Sequence, residues 1–224
     1  LLLLCGCEDF LEVEEPLGQI NSAEVFEDEA TATAAVTSLY GKLRDEVLLT
    51  GKAEGLGVLM GIYSDEMIYY GFGGEPLDNF YQHQVFPDDL LIENLWNVAY
   101  SLIYMCNGVL EGLANSTKLS EESKSQLQGE TLFVRAFAYS YLVELFGDIP
   151  FPITTDYEVN NKLSKLPIPT IYENIISDLL EAKTLLGTTY ISGERVRANK
   201  IVATALLARI YLYTEQWELA VAES

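Results

Sequence analysis

The sequence predicts an all-α protein built from helical hairpins, with one long glycine- and aromatic-rich loop inserted between the first two helices. Three observations carry this prediction. Apolar residues recur at i, i+3, i+4 and i+7 over several long stretches, the period of a helix with one buried face. No alternating run reaches convincing strand length. Gly and Pro stand where the periodic stretches stop, as in Gly147-Asp148-Ile149-Pro150 and again at Pro167 and Pro169.

Residues 8–20 are acidic and punctuated by Pro16 and Gly18, so they read as a tether. Asn21 followed by Glu24 gives a capping-box-like helix start. Ala32, Ala35/Val36, Leu39/Tyr40 and Leu43 then mark an amphipathic helix from about Glu29 to Leu49. Over 51–92, glycines at 51, 55, 57, 61, 71, 73 and 74 break any long helix, while Tyr63, Tyr69, Tyr70, Phe72, Phe80, Tyr81 and Phe86 sit among them. A loop of this length in a compact domain carries function or is disordered, and the aromatic content argues against disorder. A second long helix sets Trp96, Tyr100, Ile103, Asn107 and Leu110 on one face, spacing that predicts packing.

Residues 115–123 form a polar connection into Ser123–Phe146, which is apolar nearly all round from Leu132 onward and is therefore expected to be buried. The next helix runs from about Thr170 to Leu186, with Tyr172, Ile175/Ile176, Leu179 and Ala182 facing inward. Asn199–Tyr213 follows. Leu207-Ala208, Tyr211, Trp217 and Ala220 carry the spacing of a tetratricopeptide unit. Small Ala208 and Ala220 would let two helices approach, with Tyr211 and Trp217 filling the angle between them. The second helix of that hairpin has barely begun at Ser224, so the chain is expected to be part of a longer protein.

The charge restricts the partners. Thirteen basic residues against 34 acidic ones among 224 give −21, which repels phosphate backbones and anionic membrane surfaces but leaves neutral ligands allowed. With three cysteines and one histidine the chain offers no zinc constellation, and neither metal nor cofactor is expected. Cys106 lies between Ile103 and Leu110 and reads as a buried thiol. GxSxG, HExxH and Walker sequences are absent. The acid pairs Asp65/Glu66 and Asp88/Asp89 could in principle serve a glycoside hydrolase, but such neighbours arise by chance among 34 acidic residues, and adjacent side chains on a helix diverge. No catalytic residue is expected. Arg135 and Arg209 are single charges on apolar helices, for which a buried carboxylate such as Glu130 or Asp178 is the economical partner.

A sugar presents flat apolar faces rimmed by hydroxyls, so its site needs aromatic platforms beside amides or carboxylates. Segment 63–86 supplies both: Tyr69, Tyr70, Phe72 and Tyr81 as platforms, Asp78, Asn79 and His83 as polar partners. The alternative role for these aromatics is to pack the loop onto the helices.

Four stretches, taken in order, resemble the N-terminal half of the SusD/RagB-type outer-membrane lipoproteins. They are Leu4-Cys5-Gly6-Cys7 with Asp9-Phe10-Leu11; Trp96…Tyr100…Ile103…Asn107; Gly129-Glu130…Arg135-Ala136…Tyr139…Leu142…Phe146-Gly147-Asp148-Ile149-Pro150; and Pro167…Tyr172…Ile175…Asp178-Leu179…Ala182 leading into Arg197…Lys200…Ala205 to Leu212. Ile168 and Asn199 depart from the usual residues, though Asn still suits a helix cap. The first stretch also resembles a bacterial lipobox, which makes Cys7 the lipid attachment site, 1–20 a signal remnant with lipobox and tether, and 21–224 the SusD-like helical domain. The resemblance implies a non-catalytic, lipid-anchored protein of the outer-membrane surface. Such a protein captures oligosaccharides, or in some members peptides, for a SusC-type TonB-dependent transporter. A tetratricopeptide-type scaffold for another protein is the alternative that the helical hairpins leave open.

Overall fold

The computed structural model describes residues 22–46 and 48–224; the expected tether and Cys7 lie outside the described residues. Among the described residues all regular structure is helical, and one isolated bridge joins Ile149 to Leu166. A short α1 (Ser22–Val25) leads into α2 (Glu29–Asp45). The Asp28 side chain caps α2 by accepting from the Ala30 and Thr31 amides at 2.9 and 3.1 Å. Ala32, Val36, Leu39 and Leu43 are buried at the expected spacing. The helix stops at Asp45 rather than Leu49, because the chain turns so that Leu48 is buried while Leu49 is left exposed.

The glycine-rich stretch is not all loop. Leu56–Tyr63 forms α3 and Pro76–Tyr81 forms α4. In α3 the apolar run Leu56, Leu59 and Ile62 is buried, which outweighs the propensity cost of about 1 kcal/mol for each internal glycine. In α4, Pro76 occupies the first turn, where its missing N–H costs nothing and its fixed φ suits the helix.

Two long helices follow, α5 (Leu90–Asn115) and α6 (Glu121–Phe146). On α5 the fully buried stripe is Leu95, Ala99, Leu102, Ile103, Cys106 and Asn107, so Trp96, Tyr100 and Leu110 flank the core rather than centre it. Burial raises the Cys106 thiol pKa far above its ordinary value, as suits an inert core residue. Helix α6 is the central post: Leu127 and nearly every residue from Gly129 to Val143 are buried, and α2, α5 and α8 (Ile168–Leu185) pack around it. It closes on Gly147, whose φ of 72° lies in the left-handed region that favours glycine.

The connection from Gly147 to Pro167, which contains α7 (Tyr157–Asn160), is held down by side chains of α5 and α6. Tyr100 donates to the Pro150 carbonyl at 2.8 Å, Tyr139 to the Pro152 carbonyl at 2.8 Å, and the Asn107 amide to the same carbonyl at 3.0 Å. Tyr139 stacks on Phe151 with ring centroids 3.8 Å apart.

Two buried ion pairs cross the bundle. Arg135 grips both Asp178 oxygens at 2.8 Å and donates to Asn107 at 2.9 Å, while Arg197 grips both oxygens of fully buried Glu130 at 2.8 Å. Arg135 thus finds one of its expected partners, and Arg197 takes the other. Helix α9 (Lys200–Tyr213) starts on Asn199, whose side chain accepts from the Val202 amide at 3.0 Å. It pairs with α10 (Trp217–Glu223) as a hairpin. Tyr211 and Ala220 are buried there as expected, but Trp217 is 57% exposed. It opens the first turn of α10, outside the crossing, and fills no angle between the two helices.

Candidate functional site

Segment 63–86 is built on the α3–α4 pair. Phe80 of α4 is the anchor, only 1% exposed, with Tyr63 meeting its ring edge-on. Around it Leu77, Asp78, Asn79 and Tyr81 are half-buried. Asp78 accepts from the Gly74 amide at 3.1 Å, closing the turn before the helix. Asn79 donates to Asp89 at 3.0 Å, and the other Asp89 oxygen caps α5 through the Leu91 amide at 2.9 Å. His83, with a left-handed φ of 54°, sets Nε2 2.8 Å from the Tyr63 carbonyl oxygen and 3.7 Å from an Asp65 carboxylate oxygen. The histidine therefore ties the end of α4 to the end of α3.

The aromatics divide into two groups. Tyr81 is half-buried, with its ring 6.5 Å from that of Tyr69. The Tyr69 hydroxyl donates to Glu75, and this bond, together with the carboxylate charge, pushes the Tyr69 pKa up to about 12. The hydroxyl also lies directly over Gly71, where any Cβ would collide with it. Tyr70 and Phe72 project instead into solvent, 89% and 81% exposed, beside exposed Met67 and Ile68. These four apolar side chains, gathered in one short segment, lie outside the buried core.

The structure thus brings all seven predicted residues onto one α3–α4 unit, in two roles. Tyr69, Asp78, Asn79, Tyr81 and His83 shape the unit, while Tyr70 and Phe72 project into solvent. Glu75, Tyr63 and Asp89, which hold these residues, were not legible as partners because their contacts depend on the turn between the helices. Just beyond the segment a groove of about 580 Å³ opens between Phe86, Pro87, Ile92, Trp96 and Phe146. Trp96 meets Phe146 edge-on at 5.0 Å, so it serves packing while one side of it faces this groove. Arg209 departs from the expectation of a buried carboxylate partner: it is exposed, and its guanidinium lies over the Tyr141 and Tyr213 rings. Among the described residues no helix is long and apolar enough to cross a membrane, and no cluster of His, Cys, Asp and Glu could hold a metal ion.

A central helix with other helices packed around it, and an aromatic segment held at the surface, defines an all-helical domain of the SusD type. The family described as starch-binding and associating with the outer membrane matches residues 9–212. The chain belongs to this SusD-like family. It is similar to SusD-like protein P2 of Formosa agariphila, 32% identical, with the match covering 100% of this chain and 43% of that protein. It is also similar to SusD-like protein P25 of the same organism, 27% identical over 97% of this chain and 42% of that one. Among solved structures, a SusD superfamily protein of Bacteroides vulgatus superposes with a TM-score of 0.75 at 23% identity, covering 88% of this chain and 42% of that one. A laminarin-binding SusD-like protein does so with a TM-score of 0.75 at 20% identity, over 88% and 43%. These solved structures establish the fold. The chain spans less than half the length of the relatives it matches.

Proposed function

We propose that this chain is the helical domain of a cell-surface lipoprotein that binds oligosaccharides and delivers them to a SusC-type TonB-dependent transporter. The observation that carries the proposal is the pair of exposed rings, Tyr70 and Phe72, presented on the connection between α3 and α4, whose turn Asp78 closes and whose unit Phe80 fixes. Flat apolar faces with polar neighbours suit a pyranose ring, and a net charge of −21 favours a neutral one. The family's starch-binding description and the laminarin-binding neighbour support a glycan cargo over a peptide. Anchoring through Cys7 accords with the family's association with the outer membrane, since several acyl chains on one residue hold a protein durably.

The test is binding of starch and laminarin oligosaccharides to the chain and to Tyr70→Ala and Phe72→Ala variants. Each lost ring is expected to weaken binding by about 0.5–1.5 kcal/mol, roughly two- to tenfold, without changing thermal stability. Unchanged affinity in the double variant sinks the assignment of this segment as the glycan site.

A further inference from the structure

The exposed rings between α3 and α4 stand on backbone that its own hydrogen bonds leave loose. Before them the Met67 amide donates to the Gly61 carbonyl at 2.9 Å, and after them the Gly74 amide donates to Asp78 at 3.1 Å. Among the described residues, no backbone amide or carbonyl from Ile68 to Gly73 takes part in a hydrogen bond. Tyr70 and Phe72 lie inside that gap. One side-chain tie crosses it. The Tyr69 hydroxyl donates to Glu75, the residue that caps α4, and so fastens the loop to the helix that Phe80 anchors. The Tyr69 ring also lies 6.5 Å from that of Tyr81 on α4, so the same helix holds both ring and hydroxyl.

A ligand that meets Tyr70 and Phe72 must find them in place, and ordering a loose loop at that moment subtracts from affinity. A tie made before the ligand arrives removes that cost. A hydroxyl donating to a carboxylate is one of the stronger ties available to a loop. We propose that the Tyr69–Glu75 bond is a clasp that presets loop 69–75, which makes Tyr69 and Glu75 positioning residues for binding at Tyr70 and Phe72. This inference rests on the glycan reading of those two rings. Gly71 belongs to the same device. The atoms nearest a Cβ built there are the hydroxyl and ring of Tyr69, so only a residue without a side chain lets Tyr69 reach across to Glu75.

The experiment measures binding of maltoheptaose and laminarihexaose to the full chain by calorimetry, and exchange of the Gly74 amide in the unliganded chain by NMR. Tyr69→Phe keeps the ring and removes the donor, Glu75→Ala removes the acceptor, and Gly71→Ala displaces Tyr69 while deleting no group. Each is expected to speed Gly74 exchange and to weaken binding by about two- to tenfold, the range of one hydrogen bond, at an unchanged melting temperature. Glu75→Gln, whose amide oxygen still accepts, should restore most of what Glu75→Ala loses. Tyr69→Phe/Glu75→Ala should be no worse than either single variant, since both break the same bond. Parent-like binding by Tyr69→Phe makes Tyr69 a stacking platform and overturns the proposal. Unchanged Gly74 exchange in all three single variants also overturns it, as do additive losses in the double variant. If Tyr70→Ala/Phe72→Ala loses binding while the clasp variants bind normally, the glycan reading stands and the clasp falls. If neither sugar binds the parent chain, the glycan reading falls and the positioning role falls with it.

Discussion

The Arg135–Asp178 pair ties α6 to α8 and offers a sharp test of how the bundle is held. Both side chains are about nine-tenths buried, at 9% and 11% exposure, and share two hydrogen bonds of 2.8 Å. Asp178→Leu would leave the guanidinium in the core with Asn107 as its remaining partner. Breaking one side of such a pair costs about 3–5 kcal/mol, because an uncompensated charge stays buried. With a urea m-value near the upper end for single domains, about 2–3 kcal/mol/M, the midpoint should fall by about 1–2 M. Arg135→Met, which strands the carboxylate, should cost a similar amount. The double variant Arg135→Met/Asp178→Leu removes both charges and keeps the volume, so it should recover to within about 2 kcal/mol of the parent, the residue being the unmade bond to Asn107. Urea unfolding followed by circular dichroism measures all four corners of the cycle. If the double variant is as unstable as the sum of the two singles, the two sites do not couple and the buried-charge account is wrong.

Two further outcomes follow from close packing and from pH. A Cβ at Gly112 would overlap the Phe26 ring, so Gly112→Ala should destabilise by about 1–3 kcal/mol through overpacking. Gly41, inside α2 with open space around it, should gain about 0.5–1 kcal/mol as Ala, and thermal melts of the two variants should move in opposite directions. Burial raises the Glu111 carboxyl pKa, but hydrogen bonds from the Thr155 and Thr154 hydroxyls and the Thr155 amide outweigh it and hold it below the usual glutamate value. A depressed folded-state pKa gives stability that is present above the unfolded value of 4.5 and is lost as pH falls through the folded value. Glu111→Gln should therefore flatten the loss of stability below about pH 4.5 in an acid titration of the melting temperature, and an unchanged slope would refute the assignment.

Much of this architecture follows from local rules. The period of Leu127 to Val143, the Gly147 stop and the Asn199 cap each depend on residues within one or two turns, so α6 and α9 were legible to within a few residues. The α3 helix was hidden because its glycines argue against it locally, and burial of Leu59 and Ile62 by distant residues overrides that preference. Arg135 found one of its two expected carboxylates across the α6–α8 packing, whereas Arg209 settled between Tyr213, one turn on along its own helix, and Tyr141 of α6, which only the crossing of the two helices supplies.

The candidate site shows the same division. Composition marked segment 63–86 as aromatic and polar. Which rings are free was decided by tertiary structure: Phe80 takes the core position, Glu75 engages Tyr69, and Tyr70 and Phe72 are left in solvent. The sequence by itself determined the helical class, the family pattern and the acidic character, because periodicity, caps and charge are properties of neighbours along the chain. Only the tertiary structure decided the ion-pair partners and the exposed rings, because the pairs join α6 to α8 and to Arg197, far apart in sequence, and the rings are left outside when Phe80 takes the core position.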